Sequence, residues 1–173
     1  MDIKGPKFLF LYFAMLLAAG PCIAFARLGD RPQALQQRYG PPVSSAPLPG
    51  FEGLDALHAI TRSQYQKLDF LVTVFFRDGH SVLEIFAKRG LSQVEARQVV
   101  MMVATHPVGG PAPGQEDHIR QAAGITCKDM VFWTWTTPAL PIAAAYNPIE
   151  CTLSFFSEPT IYARIQQALT AAP

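Results

Sequence analysis

Asparagine occurs once in the 173 residues, at Asn147, and neither Ser nor Thr stands two places beyond it, so the chain carries no N-glycosylation acceptor. Charge is scarce as well. Only 16% of residues are Asp, Glu, Lys or Arg against 50% apolar, and the formal net charge is +1. That balance excludes the basic field that nucleic acid or anionic lipid would need, and the acidic field that a cationic partner would seek. Cysteine is limited to Cys22, Cys127 and Cys151. No C-x-x-C is present, which excludes a thioredoxin-like redox motif. His106 and His118, with Glu116 and Asp117, offer possible metal ligands, but no H-x-x-H, H-x-x-x-H or cysteine pair gives the close spacing of a zinc site. No metal and no cofactor is expected.

What the sequence does have is a leader. Lys4 and Lys7 form a basic end, Phe8 to Gly20 is an apolar run, Pro21 stops any helix, and Ala24-Phe25-Ala26 offers small residues at the two positions a signal peptidase inspects. The expectation is a signal peptide over residues 1–26, with cleavage after Ala26, and a protein exported to the periplasm or secreted. The competing reading is an uncleaved N-terminal membrane anchor, because Phe8 to Ala26 nearly reaches the roughly 20 apolar residues that span a bilayer. Pro21 directly before Cys22 departs from a lipoprotein signal. Cleavage takes Lys4, Lys7 and Asp2 from 14 basic and 13 acidic residues, which leaves residues 27–173 formally neutral. The scarcity of Asn, with Arg exceeding Lys, points to a GC-rich bacterial gene.

The remainder reads as a single α+β domain. "LGDRPQALQQRYGPP" is a short helix, with Asp30 as cap, Gln33 at the capping-box position, Pro32 in the first turn, Gly40 closing it, and Leu28, Leu35 and Tyr39 facing inward. Residues 41–64 begin as a Pro/Gly-rich extended connection. "YQKLDFLVTVFFRDGHSVLEIFAKR" is a hairpin turning at Asp78-Gly79, and a two-residue turn pairs Arg77 with His80, Phe76 with Ser81, Val74 with Leu83 and Val72 with Ile85. That turn accounts for the crowding of Arg77, Asp78 and His80 without any catalytic role. Ser92 and Glu95 form a capping box for a helix whose Ala96, Val99, Val100 and Val103 share a stripe, and Met101 and Met102 are expected in its core. Residues 106–126 lack periodicity and read as a loop. "MVFWTWTT", "IAAAYN" and "CTLSFFS" form an antiparallel meander, and Ser157 with Pro159 opens a final helix whose Ile161, Ile165, Ala168 and Leu169 face inward. The architecture expected is two-layered: hairpin plus three-stranded meander, with helices on one face.

In an oxidising compartment Cys127 and Cys151, each at the start of a meander strand at one sheet end, are expected to bridge, the alternative being two separate buried thiols. Trp133 and Trp135 alternate with Thr134 and Thr136, so both rings share a face, either filling the core or forming an aromatic platform for a protein, peptide or sugar. The helix end "RYGPP" followed by the hairpin "FFRDGHSV" resembles the repeat of the beta-lactamase inhibitory protein and of the small lipoprotein of the outer-membrane barrel-assembly machine, over residues 28–86. The chain departs from the lipoproteins in lacking a lipobox and from the inhibitors in showing no second copy. The resemblance implies a non-catalytic envelope protein. Its partner would be another envelope protein or a peptide, with no nucleic acid and no membrane contact once the leader is cleaved. The alternative is a periplasmic hydrolase or thiol enzyme, using Cys127 or Cys151 with His80, His106 or His118 as base.

Overall fold

The computed structural model describes residues 28–48, 60–104, 108–136 and 141–171. Residues 1–26, where a leader is expected, lie outside the described residues together with Cys22, Ala24 and Ala26, as does His106. No described helix is long and apolar enough to cross a membrane. In chain order the elements are α1 (Pro32–Tyr39), β1 (Ser44–Pro47), β2 (Ile60–Lys67), β3 (Phe70–Arg77), β4 (His80–Ala87), α2 (Gln93–Val103), α3 (Gln115–Ala122), β5 (Val131–Thr136), β6 (Pro141–Asn147), β7 (Thr152–Phe156) and α4 (Pro159–Ala171). The described strands form one antiparallel sheet in the order β1-β2-β3-β4-β7-β6-β5, so the hairpin and the meander join through β4 and β7.

The α+β class is the expected one, but the helices divide between both faces of the sheet. On the front face, α1 and α2 pack Leu35, Tyr39, Ala96, Val99 and Val100 against Tyr65, Val72, Val74, Phe86 and Phe155. On the back face, α3 and α4 pack Ile119, Ile161 and Ile165 against Phe75, Leu83, Phe132 and Phe156. The reason is visible strand by strand. Burial runs continuously through Val74, Phe75 and Phe76, through Leu153 to Phe156 and through Ile142 to Tyr146. Strands buried on both sides need cover on both sides.

Asp78 (φ 54°) and Gly79 (φ 74°) form the left-handed turn that the hairpin requires. Arg77 pairs with His80 and Phe76 with Ser81 as expected. Beyond that point the register slips. Phe75 stands opposite Leu83 and Val74 opposite Glu84, so Val82 is an extra residue in a β-bulge. The slip reverses which face each later β4 side chain takes, and it carries Glu84 into the front core.

Three further expectations are corrected. Ser44–Pro47, inside the stretch read as a connection, is an edge strand paired with β2, and β2 itself begins at Ile60. Asp30 does not cap α1: Arg31 occupies the cap position without a side-chain bond, because Asp30 is taken up by Arg38. Met101 and Met102 are 57% and 53% exposed, since the stripe of Ala96, Val99 and Val100 already fills the helix's inward face. The Ser92–Glu95 capping box forms as read.

Candidate functional site

The sequence candidates do not gather in one place. Cys127 and Cys151 are both free thiols, so the expected bridge is absent. Both lie before strands that start at the same sheet end, but Cys127 packs against the back core and Cys151 against the front core. The sheet therefore separates them. His80 stands exposed at the hairpin tip with Nδ1 3.0 Å from the Asp78 carbonyl oxygen, and Arg77 is held 2.7 Å from Glu158 at the start of α4. His118 is exposed on α3. Among the described residues no cluster of three His, Cys, Asp or Glu could hold a metal. Trp133 and Trp135 do share the front face, but Trp135 is only 5% exposed and meets Phe155 edge-on at 6.1 Å, while Trp133 is half-buried against the same core.

A concavity lies where β5 and β6 meet the first turns of α3 and α4, and Trp135 is part of its lining. It is a groove of about 660 Å³ lined by Thr134, Thr136 and Ala143 from the sheet, Gln115 and Ile119 from α3, and Ser157 just before α4. That volume suits a small molecule or a short peptide segment. Gly109 runs alongside, donating to the Thr134 carbonyl at 3.1 Å and accepting from the Thr134 N–H at 2.9 Å. The described lining contains no carboxylate, imidazole, thiol, amine or guanidinium. Its described residues offer hydroxyl and amide hydrogen bonding with aliphatic and Trp135 contact, and include no base to activate Ser157 or either threonine.

One side of the groove depends on a residue that periodicity does not reveal. Residues 115–122, inside the stretch read as a loop, form a helix with Ile119 as its buried residue. Arg120 fixes it. Its guanidinium donates to the carbonyl oxygens of Cys127 (2.6 Å) and Met130 (3.0 Å), pairs with Glu116 through two nitrogens, and lies 4.8 Å from the Phe132 ring centre. This clasp ties α3 to the segment leading into β5.

The front face holds a second unusual feature. Glu84 is fully buried in β4, with Tyr39 donating to its Oε2 at 3.0 Å and Ser81 also hydrogen-bonded to it. Burial raises its pKa to about 7, although Arg38 and the Tyr39 and Ser81 bonds pull the other way. Burial, reinforced by the carboxylate, pushes the Tyr39 phenol well up. The one signal for Glu84 in the sequence is a carboxyl set between Leu83 and Ile85 in an otherwise apolar strand. Comparison with protein-family models, with curated proteins and with solved structures finds no match to this chain.

Proposed function

We propose that the protein is an exported, non-catalytic binding module of the bacterial cell envelope, whose protein or peptide partner seats in the groove between the β5–β6 hairpin and the first turns of α3 and α4. The observation that carries this reading is the groove wall: ligand-sized, with described lining residues that are uncharged, can hold a chain by hydrogen bonds and apolar contact, and include no acid, base or thiolate. The leader supports export, and the resemblance over residues 28–86 implies the same class of envelope protein. The thiol-enzyme alternative gains nothing from the fold, because neither cysteine lines the groove and the two stand on opposite faces.

The test is a photo-crosslinking amino acid placed at Thr136 in cells that make the protein with its own leader, with Thr73, outside the groove, as control. The expected result is processed protein in the envelope fraction and a discrete adduct from position 136 alone. Unprocessed protein held in the cytoplasm, or equal adducts from both positions, would overturn the proposal.

A further inference from the structure

The Glu84 cluster is unrelated to the groove and points to a conformational device. We propose that Glu84 is a proton-operated latch: protonated, it holds α1 and the segment before it on the front of the sheet, and ionised, it releases them.

The argument rests on charge and contact. From α1, Arg38 and Tyr39 face the carboxyl; from the segment before α1, Asp30 does; from β2, Tyr65. Its cross-strand neighbours are Val74 on β3 and Phe155 on β7, neither titratable. Arg38 is the only cation among these groups, and its Nη2 is committed to Asp30. With Glu84 protonated, Asp30 and Arg38 cancel. With Glu84 ionised, the cluster holds one uncompensated negative charge in a site from which water is excluded, which is costly. Glu84 Oε1 and Arg38 Nη1 are both buried and without a hydrogen-bond partner among the described atoms, so the closed cluster leaves polar atoms unsatisfied that water would bond on opening.

The cheapest relief is to admit water by lifting the cover. That cover is α1, eight residues long, anchored through Leu35 and Tyr39 and by the backbone pairing of Gly29 and Asp30 with Ser81. Lifting it uncovers the front-face aromatics Tyr65 and Phe86, which touch Tyr39 at ring-centre distances of 5.7 and 6.2 Å. A pH change is thereby converted into exposure of an apolar surface.

Amide hydrogen exchange over residues 34–40, corrected for intrinsic rates, reads the opening directly. A carboxyl titrating near 7 when covered and near 4.5 when open makes the opening constant climb about tenfold per pH unit between 5 and 7, level off above 7, and gain about 300-fold in all. In Glu84→Gln the α1 amides stay at the closed value across the range. Tyr39→Phe gives a second reading: it removes a donor that favours the ionised form in the covered state, so the upper end of the rise moves to higher pH while its start stays in place. A flat wild-type profile, the same rise in Glu84→Gln, or an unmoved upper end in Tyr39→Phe overturns the latch.

Discussion

Replacing Arg120 by Ala should cost about 3 kcal/mol of stability, a figure that follows from what the guanidinium touches. The bonds to the Cys127 and Met130 carbonyl oxygens, at 2.6 and 3.0 Å, contribute about 1 kcal/mol net each, since these acceptors lie partly buried and would be left without their donor. The longer contact to Lys128, at 3.4 Å, adds little. Placement over Phe132 at 4.8 Å contributes about 0.5–1 kcal/mol. The Glu116 pair is half-exposed at the carboxylate, which limits it to about 0.5 kcal/mol. For a domain of this size the sum lowers the melting temperature by on the order of 10 °C. Urea unfolding followed by circular dichroism measures it, and the slope should not change, because the surface exposed on unfolding is the same. Arg120→Lys, able to reach one carbonyl at most, should lose about 2 kcal/mol. A loss under 1 kcal/mol for Arg120→Ala would refute the reasoning. It would mean that α3, and with it the Gln115 and Ile119 side of the groove, is held by something other than this clasp.

Other expectations follow from the same structure. Glu84→Gln should change the pH dependence of global stability. The native carboxyl keeps its proton to about pH 7, whereas an unfolded one loses it near 4.5, so wild-type stability is fullest below pH 4.5 and declines as pH rises to 7. At pH 8 the variant should therefore be more stable by roughly 3 kcal/mol, an advantage absent at pH 4, as parallel denaturant titrations would reveal. Without any reductant, unfolded protein should react with two equivalents of a thiol reagent at Cys127 and Cys151; no reaction would restore the disulfide. Met101→Ser and Met102→Ser should each change stability by under about 0.5 kcal/mol, whereas Val100→Ala costs about 2 kcal/mol, measured by chemical denaturation.

What the sequence discloses is what local chemistry determines. Asp78-Gly79 dictates a left-handed turn whatever surrounds it, Ser92 and Glu95 cap α2 by reaching only three residues, and the meander strands are bounded by their own turns. The misses depend on the third dimension. Alternation along "SVLEIFA" cannot show that Val82 bulges, so it assigns Glu84 to the wrong face. Helix α3 has a single buried residue, Ile119, and is stabilised by Arg120 reaching across to Cys127 and Met130, a contact that leaves no periodic trace. The cysteines share a sheet end, which strand order reveals, but not a face, which depends on how the segments before β5 and β7 approach the sheet. The groove was illegible for the same reason, since Gly109, Gln115, Thr136 and Ser157 converge only when four separate segments meet.

Native mass spectrometry on the protein taken from its own envelope fraction, beside the groove-filling variant Thr136→Trp, tests the central claim most directly. The account predicts a chain beginning at Arg27, carrying a bound species that the variant lacks. A chain retaining residues 1–26, or a bound species unchanged by the variant, would contradict it.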